Sequence, residues 1–242
     1  MTDQDRAFGP PPLGVTSSTA IYGFGAALLY LATRFVIPLI AKRTAVEPVV
    51  AWFIAAGLGV FLPLILVGSF LLMLEHRKDS VCLSRRLWLR RMSRTDWRRV
   101  LVGVGLIVVL SAPLVAALTH IYGKSGFTPA FLTFKPLTPD RLWILGAWVP
   151  FFALNMLGEA FIWHAVMLPR QVRSFAEHAW VISGLGWAVF HLALPWQILA
   201  SLAPTIFVIP YLVQRTANVW VAVVLHVFVN GPGFLAVAFG LV

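Results

Sequence analysis

The sequence predicts an all-α protein, a polytopic bundle of about seven to eight transmembrane helices. Of its 242 residues, 60% are hydrophobic and 12% are charged, whereas soluble domains average about 45–50% apolar and about 25% charged residues. Apolar windows recur at the ~20-residue length that a helix needs to cross a ~30 Å hydrocarbon core. They lack the short alternating pattern of membrane β-barrel strands. A water-soluble fold of this size could not bury so much apolar surface, so we expect an integral membrane protein.

Seven apolar segments follow one another from residue 16 onward. Four are long and uniformly apolar, at residues 16–40, 49–74, 100–121 and 142–168. Three are shorter or less regular, at residues 178–194, 199–213 and 218–242. Because Pro204 and Pro210 interrupt the segment at 199–213 and proline removes a helical backbone donor, we expect that segment to be only partly inserted.

The N-terminal residues differ in composition from the membrane domain at 16–242. Residues 1–15 contain acidic residues and three consecutive prolines, which is unlike a secretory signal peptide, and we interpret them as a disordered tail. Cys82 is the only cysteine, so an intrachain disulfide is excluded.

A basic loop is predicted at residues 76–99, between the second and third apolar segments. The formal net charge of the chain is +10, and nine cationic residues lie in this loop: Arg77, Lys78, Arg85, Arg86, Arg90, Arg91, Arg94, Arg98 and Arg99. A basic run between membrane spans is typical of a cytoplasmic loop that contacts anionic lipid headgroups, and this reading is favoured over nucleic-acid binding. We therefore expect a multi-pass protein of the bacterial inner (cell) membrane, with its N-terminus in the cytoplasm.

Six polar residues stand within apolar segments of the C-terminal half, where an ionisable group costs about 2.5–3.5 kcal/mol on insertion scales. They are Asn155, Glu159, His164, His191, His226 and Asn230. Residues four apart share a helix face, and this spacing joins Asn155 to Glu159, Trp187 to His191 and His226 to Asn230. His164 is five residues past Glu159 and is expected to point off the Glu159 face.

The depth of these residues predicts that they converge. Glu159, His191 and His226 each lie about 12–20 Å from the cytoplasmic end of their helices at ~1.5 Å per residue. We expect one polar pocket inside the bilayer, open toward the cytoplasm.

Three kinds of chemistry fit such a pocket. A carboxylate and a histidine can activate water, while a second histidine and an asparagine donate hydrogen bonds to an oxyanion. The same Glu159, His191 and His226 are also ligand types for a catalytic Zn²⁺. Proton or ion transport would use the same groups. Spacing alone does not separate these alternatives.

Three motifs in this region resemble those of the CPBP family of intramembrane proteases, also called the ABI or CAAX-protease family. "GEAFIWHAVMLPR" is similar to its glutamate motif through Glu159, "WAVFH" to its aromatic-histidine motif through Trp187 and His191, and "HVFVN" to its last motif through His226 and Asn230. The resemblance covers residues 142–240, as a CPBP-like catalytic core. Two positions depart from the family pattern, with Ala160 in place of a second glutamate and His164 in place of an arginine.

The resemblance implies an intramembrane endopeptidase that cleaves a membrane-associated or lipidated peptide or protein. Glu159, His191, His226 and Asn230 are the implied catalytic residues, and Asn155, His164 and Trp187 are supporting residues. No cofactor is firmly implied, and Zn²⁺ on Glu159, His191 and His226 is the open alternative. The two departures leave a second hypothesis, a catalytically degenerate member that acts in binding, as a scaffold or in immunity. The oligomeric state is not predicted.

Overall fold

The computed structural model describes residues 10–44, 46–76, 83–123 and 128–241, and these residues are helical or irregular, with no β-strand. Arg77, Lys78, Cys82 and residues 1–9 of the predicted tail lie outside the described residues. Within these residues, seven helices of 12 residues or more form the bundle: α1 (Val15–Thr44), α2 (residues 48–76), α3 (Arg94–Tyr122), α4 (residues 143–175), α5 (Ala179–Phe190), α6 (Trp196–Thr216) and α7 (Trp220–Ala238).

Six helical runs in the described residues are long and apolar enough to cross a membrane, which confirms the predicted polytopic helical bundle. The fourth run, Pro139–Ala193, contains both α4 and α5. The chain breaks between them at Ala176, where φ is 48°. A positive φ is unfavourable for a residue with a Cβ, and a right-handed helix cannot continue through it, so the chain reverses direction there.

Contacts between distant segments define two ends of the bundle. At the basic end, the Leu13 amide donates to the Arg170 carbonyl, and the Val219 amide donates to the Trp88 carbonyl. At the opposite end, the Leu137 amide donates to the Ala238 carbonyl. Successive helices α1 to α7 therefore run in alternating directions. The positive-inside rule still predicts that the basic end faces the cytoplasm.

The predicted basic loop is shorter in the structure than residues 76–99. Residues 94–99 form the first turns of α3, because Ser93 caps this helix in a capping box with Asp96. Arg90 binds both oxygens of the Asp96 carboxylate at 2.7 and 2.9 Å and donates to the Thr216 carbonyl at 2.8 Å. These bonds fix the basic segment onto the ends of α3 and α6.

The segment that was expected to be only partly inserted is a continuous helix, α6. Both Pro204 and Pro210 lie inside it. Prolines are tolerated in membrane helices that pack against neighbouring helices, and α6 contacts α3 through a hydrogen bond of 3.2 Å from the Ser111 hydroxyl to the Ser201 carbonyl. The two prolines therefore do not break this segment, which is long and apolar enough to cross a membrane.

α4 is the central helix, since every residue from 162 to 171 is buried. Its middle, Ala160–Met167, is a π-helix, whose i→i+5 hydrogen bonds make wider turns and often occur at functional sites. Shorter π segments occur at Ala32–Val36 in α1 and Gly57–Phe61 in α2.

Gly186 of α5 permits the close approach of α1. A Cβ at position 186 would overlap the ring of Tyr22, which supplies its three nearest atoms. We expect Gly186→Ala to lower the free energy of unfolding by about 1–3 kcal/mol, the usual cost of overpacking. Thermal unfolding in detergent measures this loss. Gly105→Ala is the matched control, because a Cβ there meets no atom within 4 Å; equal midpoints for the two variants would contradict the prediction.

Candidate active site

Glu159 lies at the start of the wide-turned segment of α4 and is only 4% exposed. The indole Nε1 of Trp187, on α5, donates a hydrogen bond of 2.5 Å to its Oε2. Asn155 lies one helical turn before Glu159, and both residues line the same large cavity. The predicted pairing of these two residues on one face is therefore present. A buried carboxylate has about four acceptor positions, so Glu159 retains some for a water or a substrate.

Trp187 is the central contact of the site. Its ring centroid lies 5.0 Å from that of His164, 5.8 Å from that of His191 and 5.5 Å from that of His226. Because these residues come from α4, α5 and α7, the indole joins all three helices. The predicted convergence is thus present, with an aromatic ring at its centre.

His191 follows the last residue of α5 and is half-buried against the cavity. Its Nδ1 lies 2.9 Å from the Trp187 carbonyl oxygen. A carbonyl oxygen only accepts hydrogen bonds, so Nδ1 carries the proton of the neutral ring. The other nitrogen, Nε2, then has a lone pair and can accept a proton from water.

His226 and Asn230 lie one turn apart on α7, and both line the same cavity. His226 is 5% exposed, and Asn230 is half-buried. Imidazole N–H and amide N–H groups are donors, so this pair can stabilise a negatively charged oxygen inside the cavity.

His164 does not point away from the site, contrary to the expectation for a residue five positions past Glu159. Its ring packs edge-on against Trp187, the residue that binds Glu159. The cause is the π-helix at Ala160–Met167, whose wider turns place residues five apart on one side. The expectation assumed regular α-helical geometry. His164 is 1% exposed, and neither of its ring nitrogens has a hydrogen-bond partner among the described residues.

Ala160, the second departure from the family pattern, faces away from the catalytic candidates. It lines a separate groove between α2, α4 and α7 rather than the cavity beside Glu159. The alanine therefore removes no polar group from the cavity.

The cavity beside Glu159 has a volume of about 900 Å³ and is mainly apolar. Its aromatic lining comes largely from residues that the sequence analysis did not select: Trp52, Phe53, Phe61, Phe134, Trp148, Phe151, Phe152 and Phe234. Trp148 and Phe234 stack at 4.5 Å with 5° between their planes. Several of these residues precede position 142, so the site extends beyond the predicted core. The density of aromatic residues between 131 and 152 could have indicated four of them, Phe134, Trp148, Phe151 and Phe152.

The cavity extends in the direction opposite to the one expected. From His226 and Trp187 it continues past Asn155 and Trp148 to Phe134, which lies near the end where Leu137 meets Ala238. We expected the pocket to open at the basic end because the depth of each polar residue was counted from that end of its helix. Such a count does not show which end of the cavity is closed by side chains. Around Arg170, the basic end is closed by the fully buried stretch of α4.

A metal ion does not fit the donors as they are placed. Within the described residues, no three His, Cys, Asp or Glu side chains are grouped so as to hold one. The Trp187 indole lies among His164, His191 and His226 and occupies one oxygen of Glu159.

A comparison with protein families relates this site to known proteins. The model of a family described as "Type II CAAX prenyl endopeptidase Rce1-like" matches residues 141–231, which include every proposed catalytic residue. Searches among curated proteins and among solved structures gave no significant match. The family match agrees with the resemblance carried by the three motifs and with a polytopic membrane protein. Residues 141–231 of this chain are therefore similar to the Rce1-like group of the CPBP family of intramembrane proteases, as the three motifs predicted.

Proposed function

We propose that this protein is an intramembrane endopeptidase that hydrolyses a peptide bond of a membrane-associated or lipidated substrate with a water activated by Glu159 and His191. The observation that carries the proposal is the placement of Glu159, His191, His226 and Asn230 around one cavity within the Rce1-like region. The aromatic, apolar character of this cavity favours a substrate with an apolar chain next to the scissile bond.

The first step is the attack of water on the substrate carbonyl carbon. The Glu159 carboxylate takes one proton from the water, and the lone pair on His191 Nε2 accepts a hydrogen bond from its other proton. His226 and Asn230 donate hydrogen bonds to the carbonyl oxygen as it becomes an oxyanion. Because Trp187 occupies only one Glu159 oxygen, the other is available to the water.

The second step is the collapse of the tetrahedral intermediate. Glu159 transfers its proton to the leaving amine nitrogen, the C–N bond breaks, and the products are a carboxylic acid and an amine. His191 is held by the Trp187 carbonyl throughout, so neither ring rotation nor a change of tautomer is needed.

The function is tested by purifying the chain in detergent and measuring the cleavage of membrane peptides, with and without a lipid at the C-terminus, by mass spectrometry of the products. We expect cleavage by the wild type and its loss in His191→Ala. His178→Ala is the matched control, since His178 is exposed near the basic end. Retained turnover in His191→Ala would disprove its role, and a wild type that binds these peptides without cleaving them would support a degenerate, binding member instead.

Trp187 is proposed as a positioning residue for the Glu159 carboxylate. Trp187→Phe keeps an aromatic ring and removes the Nε1 donor, a charge-assisted hydrogen bond of about 1.5–3 kcal/mol. We expect kcat to fall by about tenfold or more, with KM nearly unchanged. A rise in KM with unchanged kcat would show that the indole contributes to substrate binding alone. Trp180→Phe, at the basic end of α5, is the control.

We also propose that the reaction needs no metal ion, because the described side chains offer no three-ligand group. Cleavage by the purified protein should be unchanged after incubation with a chelator and dialysis. Loss of activity that Zn²⁺ restores would overturn this mechanism while leaving the protease function intact.

A further inference from the structure

The groove that Ala160 lines is a second cavity, separate from the one beside Glu159. It has a volume of about 340 Å³ and lies between α2, α4 and α7. We call it the α4 groove, and its walls include Ile65, Ser69, Leu157, Ala165 and Val223. Apart from the Ser69 hydroxyl these side chains are apolar, so the groove suits an apolar chain rather than a polar ligand.

The α4 groove opens on the outer surface of the bundle. Leu157 is 47% exposed, Trp220 is 42% exposed and Leu89 is 37% exposed, and all three line it. On the lateral face of a membrane helix bundle, these side chains contact lipid. Trp220 begins α7 at the basic end, at the level where tryptophan prefers the lipid headgroups.

The basic segment forms the rim of the groove. Leu87 and Leu89 of this segment line the groove. Arg90 binds the Asp96 carboxylate and so points toward α3. Arg85 and Arg91 are exposed, and each lies two residues along the chain from one of these two leucines.

We propose that the α4 groove binds one anionic glycerophospholipid, with an acyl chain along Ser69, Leu157 and Val223 and its phosphate at Arg91 and Arg85. The apolar walls, the lateral opening and the cationic rim each match one part of such a lipid. Glu159 lines the catalytic cavity and its neighbour Ala160 lines the groove. The bound acyl chain therefore packs against the π-helical segment Ala160–Met167, on the side of α4 opposite the catalytic cavity. The lipid thereby stabilises the helix that carries the site.

The test measures lipid binding directly and does not depend on catalysis. The full chain, purified in detergent, is mixed with phosphatidylglycerol or with phosphatidylcholine of the same acyl chains, and bound lipid is counted by native mass spectrometry. We expect one retained phosphatidylglycerol with about fivefold or greater preference over phosphatidylcholine, because each surface arginine contributes about that factor to anionic lipid binding. Equal retention of the two lipids would overturn the proposal.

Two variants distinguish the binding of the lipid acyl chain from the binding of its headgroup. Ser69→Trp fills the groove from an exposed position and should abolish retention of either lipid. The double variant Arg85→Gln/Arg91→Gln should abolish the preference for phosphatidylglycerol. Arg94→Gln/Arg98→Gln removes the same charge from α3, which lines no part of the groove, and should keep the preference. Retention in Ser69→Trp, or an equal loss of preference in both double variants, would show that the lipid lies elsewhere.

Discussion

Replacement of Glu159 by Gln is expected to reduce the rate of peptide cleavage by about 10²–10⁴-fold, the usual contribution of a general base. Glutamine has almost the same shape as glutamate, so the cavity keeps its volume and Trp187 keeps an acceptor for its Nε1. The amide cannot take a proton from water, however, so the attacking nucleophile is not generated. The loss should appear in kcat, measured by product formation at saturating peptide.

In the Glu159→Gln variant, we expect the cleavage rate to fall without a loss of thermal stability. Glu159→Gln removes a buried charge that has no basic partner among the described hydrogen bonds, so its thermal midpoint should equal or exceed that of the wild type. Glu177→Gln, an exposed glutamate at the basic end, is the activity control. Undiminished cleavage by Glu159→Gln would remove the central residue from the mechanism.

Replacement of Glu75 by Gln is expected to lower the free energy of unfolding by about 3 kcal/mol. Glu75 accepts from Arg170 Nε at 2.9 Å and from Arg170 Nη2 at 2.5 Å, and it also accepts from Arg86 at 3.5 Å. Arg170 and Arg86 are only 3% and 5% exposed. Removing one partner of a buried ion pair leaves charge without compensation and costs about 3–5 kcal/mol, and the lower value applies because Glu75 is 17% exposed.

The loss corresponds to a fall of about 6–12 °C in the thermal midpoint for a protein of this size, measured by unfolding in detergent. Glu47→Gln is the matched control. Glu47 forms a bidentate pair with Arg141, but their side chains are 34% and 21% exposed, so the expected cost is below about 1 kcal/mol. Equal midpoints for the two variants would show that burial does not govern the strength of these pairs.

Much of the candidate site was predictable because its residues repeat at helical spacing in apolar segments. The pairs Asn155 with Glu159 and His226 with Asn230 each line the cavity together, as the four-residue spacing predicts. The prediction for His164 was wrong because a π-helix is stabilised by tertiary packing and has no signature in the local pattern. The aromatic cavity was missed because its aromatic walls come from α2, from α4 and the segment before it, and from α7, which are distant in sequence.

The sequence by itself determined that the chain is a helical membrane protein, where its apolar segments lie, and which polar residues they carry. These properties follow from the length, composition and charge of continuous segments, since each helix must satisfy its own backbone in lipid. Only the tertiary structure decided that Trp187 joins the glutamate to three histidines, that the cavity extends away from the basic end, and that Ala160 faces a different groove. These features depend on how helices cross and where turns widen, and both are set by contacts between residues far apart in the chain.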